Sequence, residues 1–184
     1  MPRLFTGLVI PPDLAAELAL MRGGLTGARW IDVADYHLTL RFIGDIDGGT
    51  AQEVDELLCG IHRPPLMVRL EGLDYFGGDK PRAIVAKVQT SSALMELQAE
   101  QERLMRRIGL APEPRRFTPH VTLARMRNAS QSAVAHYLGT RGFLSRQFEA
   151  EAFVLYSARD SVGGGPYVIE AEYPLEVSAN GSRP

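Results

Sequence analysis

The chain has few of the features that mark secreted or membrane proteins. Cys59 is the only cysteine among 184 residues, which excludes an intrachain disulfide and is typical of a reducing compartment. No apolar run approaches the length of about 20 residues that spans a bilayer, and residues 1–5 lack the pattern of a signal peptide. We therefore expect a cytoplasmic protein with no membrane partner.

The charges of the chain are nearly balanced. Twenty basic and 22 acidic residues give a net charge of −2, which argues against extended binding along nucleic acid. A local basic pocket for one terminal phosphate is still compatible with this charge. The length predicts one domain, residues 1–184, of ordinary size. The sequence has no heptad repeat or long exposed apolar stripe, so we expect a monomer.

A His-x-Thr-Leu tetrapeptide occurs twice, 83 residues apart, beginning at His37 and at His120. Only four histidines are present, so this repetition is improbable by chance. Each tetrapeptide has the composition of a strand, in which residues i and i+2 point to the same face. His37 should therefore lie beside Thr39, and His120 beside Thr122, and we expect the two pairs to face each other across a cleft.

Two such pairs can perform acid/base chemistry on a phosphodiester. A neutral imidazole takes a proton from water, a protonated one delivers a proton to a leaving oxygen, and each hydroxyl donates to an anionic oxygen. Metal binding is less consistent with the pattern, because threonine is a poor zinc ligand and Cys59 stands alone. The sequence also lacks the Gly-x-Ser-x-Gly motif and the glycine-rich phosphate loop.

Two arginines follow the motifs closely. Arg41 shares strand parity with His37 and Thr39, so it should face the same cleft and hold phosphate. Arg125 lies five residues after His120, where strict alternation would direct it away from the cleft unless a bulge intervenes. Surface arginines in solvent or in ion pairs are the alternative interpretation for both.

Several aromatic residues are candidates for lining the cleft or stacking on a base. Ordinary core packing is the alternative for each of them. The candidates are Phe5, Phe42, Phe117 and Tyr156.

The predicted elements alternate between strands and helices, without a linker that separates two domains. We predict helices at 13–25, 47–59, 91–108 and 130–138, and strands at 4–10, 28–31, 37–44, 66–76, 82–88, 117–126, 148–157 and 167–173. This order indicates an α+β fold with antiparallel sheets covered by helices on their outer faces. Each half places a His-x-Thr strand between two helices.

The segments 37–44 and 117–125 resemble the paired motifs of the two-histidine phosphoesterases, most closely the RNA 2′,3′-cyclic phosphodiesterases, historically called 2′-5′ RNA ligases. The likeness extends over nearly the whole chain. It implies a bilobal fold with a pseudo-two-fold axis, in which two antiparallel sheets face a central cleft. It also implies hydrolysis of an RNA 2′,3′-cyclic phosphate end to a 2′-phosphate, without metal or nucleotide cofactor, and a reverse reaction that joins RNA ends.

The resemblance assigns roles to individual residues. His37 corresponds to the proton donor and His120 to the acceptor, Thr39 and Thr122 to contacts with phosphate oxygens, and Arg125 to a further phosphate ligand. Two other functions remain open at this point. One is a non-catalytic module that binds RNA ends or nucleotides, and the other is a phosphodiesterase for small cyclic nucleotides.

Overall fold

The structure is a computed structural model that describes residues 3–158 and 165–177. Within these residues it contains nine strands and four α-helices. The strands are β1 (Arg3–Val9), β2 (Ala28–Trp30), β3 (His37–Asp45), β4 (Leu66–Phe76), β5 (Ala83–Val88), β6 (His120–Met126), β7 (Ser145–Ala150), β8 (Ala152–Ser157) and β9 (Val168–Pro174). The helices are α1 (Pro12–Ala19), α2 (Gly48–Cys59), α3 (Ser92–Arg107) and α4 (Gln131–Thr140).

Three of the helices begin at side-chain caps that the sequence provides. The side chains of Asp47, Ser91 and Ser130 accept hydrogen bonds from backbone amides in the first turns of α2, α3 and α4. Helix α1 ends at Ala19, earlier than the predicted residue 25. The chain leaves the helix there in a tight turn, and Gly23 and Gly24 both have positive φ angles, which a helix does not accommodate.

The strands form one antiparallel sheet made of two halves. The first half-sheet has the order β3-β1-β8-β9, and the second half-sheet has the order β6-β5-β4-β7, with β2 also paired to β6. The halves meet where Leu38 of β3 pairs with Val121 of β6. The α+β class is confirmed, and this single pair joins the two predicted sheets into a continuous one.

The two half-sheets exchange segments, which the sequence pattern did not predict. The hairpin β4–β5 joins the second motif rather than the first, and β8 and β9 return to the first half-sheet. The predicted strand 148–157 is in fact two strands, β7 and β8, separated by Glu151. They pair with β4 and β1 respectively, so the chain crosses between the half-sheets at this point.

The main core lies on the helix-covered side of the sheet. Leu38 and Val121, at the junction of the half-sheets, are fully buried in it, as is Leu97 of α3. Because side chains alternate along a strand, the residues on either side of Leu38 in β3 and of Val121 in β6 face the opposite side of the sheet. Among the described helices, none has the length and hydropathy to cross a membrane.

Candidate active site

The two His-x-Thr pairs lie together on the face of the sheet opposite the helices. Leu38 and Val121 pair in antiparallel strands. His37 therefore lies opposite Thr122 on one side of this pair, and Thr39 lies opposite His120 on the other side. All four side chains are partly exposed, whereas the residues between them are buried. The local two-fold axis of this strand pair therefore passes between the two histidines, which lie side by side on one sheet face.

Both imidazoles are held by the same backbone contact. His37 Nδ1 lies 2.9 Å from the carbonyl oxygen of Asp35, and His120 Nδ1 lies 2.7 Å from that of Thr118. A carbonyl only accepts, so Nδ1 carries the proton in each ring and Nε2 is left with a lone pair. In His37 this lone pair accepts the Thr39 hydroxyl at 2.9 Å.

The free protein favours the neutral form of both histidines. The pKa of His37 is lowered to about 4, chiefly by burial and less by the nearby charges of His120 and Arg125, against the opposing effect of the Asp35 carbonyl. Burial, with a smaller contribution from Arg125, also lowers the pKa of His120. Each imidazole can therefore accept a proton at neutral pH. A bound anion is needed to favour the protonated, positively charged form of either ring.

The predicted orientation of Arg41 is wrong because β3 contains a bulge. Across β1 and β3, Arg41 pairs with Thr6 and Thr39 pairs with Gly7, so Leu40 has no partner. The extra residue reverses the alternation after Thr39. Arg41 consequently points to the helix side, away from the histidines.

On the helix side Arg41 is buried, with 5% of its side chain exposed. Its guanidinium forms an ion pair with Glu102 of α3 at 2.5 Å and donates to the carbonyl oxygen of Ala111. The other carboxylate oxygen of Glu102 accepts the backbone amide of Glu113. This network joins the first motif strand to the segment that leads into the second.

A matching bulge in β6 turns Arg125 toward the histidines. Val85 pairs with Thr122 and Ile84 with Ala124, which leaves Leu123 without a partner. Ala124 is fully buried, Arg125 is exposed, and its charge affects the pKa of both histidines. The bulge on which the prediction for Arg125 depended is therefore present.

Aromatic rings surround His37. The Phe5 ring lies 5.0 Å from the His37 ring and stacks on Tyr156 at 5.0 Å. Tyr156 is 6% exposed, so it forms the wall rather than an open platform, whereas the neighbouring Phe42 is 53% exposed. The sequence did not single out Tyr167, whose ring meets that of His37 edge-on at 5.1 Å.

The surroundings of His120 were less predictable. The Phe76 ring meets the His120 ring edge-on at 4.7 Å, although it comes from the far end of β4. The hairpin register places Phe76 opposite Ala83, which in turn is opposite Arg125, and such a register is not visible in local sequence. Phe117, in contrast, packs against the main core.

Possible metal ligands are not grouped in this region. In residues 3–158 and 165–177, no three side chains among His, Cys, Asp and Glu are placed to hold one ion. Arg29 of β2 is the cross-strand partner of Arg125, so the two side chains leave the sheet on the same face. The sequence signal for Arg29 was only its position ahead of the first motif.

Comparison with known proteins agrees with this geometry. The model of the family described as LigT like Phosphoesterase matches the chain twice, over residues 8–86 and 85–167. The chain is 35% identical to an RNA 2′,3′-cyclic phosphodiesterase of Aeropyrum pernix over 63% of its length and 69% of the relative. It is 29% identical to a protein of that name from Bacillus subtilis over 84% of its length and 87% of the relative.

The fold also has a counterpart among solved structures. The crystal structure of TT0787 of Thermus thermophilus superposes with a TM-score of 0.81 at 20% identity, covering 96% of this chain and 99% of the other. Each match of the family model contains one His-x-Thr strand, β3 in the first and β6 in the second. The chain therefore belongs to the LigT like Phosphoesterase family of two-histidine phosphoesterases.

Proposed function

We propose that the protein hydrolyses the 2′,3′-cyclic phosphate at an RNA end to a 2′-phosphate, with His37 and His120 as general acid and general base. The observation that carries this proposal is the mirrored anchoring of the two rings. In each, Nδ1–H donates to a backbone carbonyl and the Nε2 lone pair is directed to the shared face, where that of His37 accepts the Thr39 hydroxyl. The relatives named RNA 2′,3′-cyclic phosphodiesterase support the choice of substrate.

The reaction requires two proton transfers on opposite sides of one phosphorus atom. His120, the base, takes a proton from a water molecule while the water oxygen forms a bond to phosphorus. His37, the acid, gives a proton to the 3′-oxygen while the bond between that oxygen and phosphorus breaks. The product is a 2′-phosphate with a free 3′-hydroxyl. The same groups acting in reverse would join RNA ends through a 2′-5′ linkage.

The substrate itself supplies the charge that the acid needs. Both histidines have lowered pKa values in the free protein, and the negative phosphate placed between them favours an imidazolium. The site thus takes up one proton together with its anionic substrate. Neutral phosphodiester analogues should bind without this proton.

The remaining residues of the face stabilise the phosphate. Thr122 can donate its hydroxyl proton to a non-bridging oxygen, and Thr39, whose hydroxyl donates to His37 Nε2 in the free protein, can do so once that nitrogen is protonated. Arg125 adds a forked cation that suits the same oxygens. Phe42 offers an exposed ring for the terminal base, and Tyr156 supports His37 from the wall.

We further propose that the chain works as one monomeric domain of two lobes and needs no metal or nucleotide cofactor. Each half-sheet draws on segments from distant parts of the sequence, which favours a single folding unit. The proton transfers above use only side chains of this chain. The unpaired Cys59 is consistent with a cytoplasmic location.

The direct test is a product assay on an oligoribonucleotide that ends in a 2′,3′-cyclic phosphate. The unaltered protein should release only the 2′-phosphate, and His37→Ala and His120→Ala should each lower kcat by about 10²–10⁴-fold. His62→Ala and His136→Ala are matched controls, because both residues are exposed. Normal turnover by His120→Ala would refute the mechanism, and binding without turnover would favour a binding module.

A substrate with sulfur in place of the bridging 3′-oxygen identifies the acid. A thiolate leaves without protonation, so loss of the general acid should matter far less with this substrate. We expect His37→Ala to recover most of its lost rate and His120→Ala to recover none. The opposite result would exchange the two roles while leaving the proposed reaction intact.

A further inference from the structure

The two lobes carry different side chains at equivalent places on the histidine face. Val9 is paired with His37 across β1 and β3, and Lys87 is paired with His120 across β5 and β6. Residues paired directly across antiparallel strands point to the same face. A lysine therefore stands beside the second histidine where an exposed valine stands beside the first.

Lys87 is available to a ligand. Its side chain is exposed, and in the described part of the chain no carboxylate lies within ion-pair distance of it. A Cβ placed at Gly72 would lie 3.7 Å from Lys87 Cε, so the ammonium end extends over a residue that has no side chain. Nothing at this position on β4 covers the lysine.

An exposed aromatic ring adjoins the same bare position. The same Cβ at Gly72 would lie 3.8 Å from Cε2 of Phe143, which is 82% exposed. The backbone beside Phe143 is anchored, because the next residue, Leu144, is buried and its carbonyl oxygen accepts the Gly72 amide at 2.7 Å. An aromatic ring this exposed contributes little to folding and is the kind of surface on which a nucleobase stacks.

We propose that Lys87 and Phe143 form a second nucleotide subsite, which binds the phosphodiester and the base preceding the cyclic phosphate end. This inference rests on the proposed function. The RNA strand leaves the reaction site past His120, across the second half-sheet, where Lys87 meets its next phosphate and Phe143 its next base. The first half-sheet, which presents Phe42 and Val9, takes the uncharged terminal nucleoside.

The subsite makes the protein an enzyme for oligoribonucleotides in preference to mononucleotides. A nucleoside 2′,3′-cyclic phosphate has no upstream phosphate or base and therefore cannot use Lys87 or Phe143. The quantity that reports the subsite is the ratio of kcat/KM for a short oligoribonucleotide 2′,3′-cyclic phosphate to kcat/KM for the mononucleotide with the same terminal base. We expect this ratio to be well above one.

The test compares this ratio in Lys87→Gln, Phe143→Ala and two matched variants. Loss of one stacked base should lower the ratio by at least about fivefold in Phe143→Ala. Loss of one phosphate contact should lower it in Lys87→Gln and reduce the slope of log(kcat/KM) against log[salt] for the oligonucleotide by about 0.7. Arg107→Gln, at the end of α3, and Leu20→Ala, after α1, make similar changes at other exposed sites and should leave the ratio as it is.

Two results would overturn the inference. If the unaltered protein turns over both substrates and neither subsite variant changes the ratio, the subsite is wrong and the proposed function stands. If the unaltered protein turns over neither substrate, the proposed function fails and the subsite fails with it. A lowered ratio in both subsite variants, with the two controls unchanged, supports the inference.

Discussion

Replacing His37 by asparagine should make the stability of the protein less sensitive to acid. The unfolded chain binds a proton at His37 with a pKa near 6.5, whereas burial lowers the pKa in the folded protein to about 4. Between these values the unfolded state binds the proton and the folded state does not. The free energy of unfolding therefore falls as the pH drops from 6.5 to 4, and the loss is complete below the folded pKa.

The size of the effect follows from the shift. One pKa unit corresponds to about 1.4 kcal/mol, so this group alone should remove about 3 kcal/mol of stability between pH 7 and pH 4. Asparagine carries no titrating proton, and its amide can still donate to the Asp35 carbonyl that holds Nδ1. The His37→Asn variant should therefore lose about 3 kcal/mol less than the unaltered protein over the same pH range.

Urea unfolding at pH 7 and pH 4 measures the difference, with the same m-value required at both. His62→Asn, in an exposed loop, is the matched control and should lose as much stability as the unaltered protein. If His37→Asn and the unaltered protein differ by less than about 1 kcal/mol in their losses, His37 is not a buried neutral imidazole. Its proposed dependence on the substrate anion would then be wrong as well.

Three further outcomes follow from the same geometry. The pH profile of kcat/KM should be bell-shaped with its maximum below pH 6.5, because both histidines of the free protein have lowered pKa values. The pH profile of kcat should lie at higher pH, because bound substrate favours the imidazolium. A maximum of kcat/KM above pH 7 would contradict this. Turnover should survive dialysis against EDTA, and a loss restored by one added divalent cation would show that the proposed mechanism is incomplete. Glu102→Ala should lower the free energy of unfolding by about 3 kcal/mol, because it leaves buried Arg41 unpaired, and Arg41→Met with Glu102→Leu should recover most of that loss in urea unfolding.

The sequence predicted the parts of the site that depend on local periodicity. Alternation along a strand was enough to place His37 beside Thr39 and His120 beside Thr122, because each pair belongs to one regular stretch. The capping serine of α3 was likewise predictable from its own neighbourhood. The α+β class followed from the order of the elements.

Contacts between distant segments could not be predicted in this way. Phe76 reaches His120 through the register of two strand pairs, and that register depends on the hairpin turn and on the bulge in β6. The division of residues 148–157 into β7 and β8 depends on which strand of each half-sheet is available for pairing, β4 for β7 and β1 for β8. Neither property leaves a signal in the residues themselves.

The two bulges give the pseudo-symmetric site a direction. The leucine that ends each tetrapeptide has no partner across the strand pair, so the next side chain turns to the helices and the following one to the histidine face. In the first motif these residues are Arg41 and Phe42, and in the second they are Ala124 and Arg125. In the second motif the small residue Ala124 occupies the core position, so Arg125 stays on the histidine face. In the first motif Arg41 itself occupies the core position, where Glu102 neutralises its charge. One backbone arrangement therefore places an exposed ring, Phe42, after the first motif and a cation, Arg125, at the equivalent position after the second, so the two ends of the histidine face differ chemically.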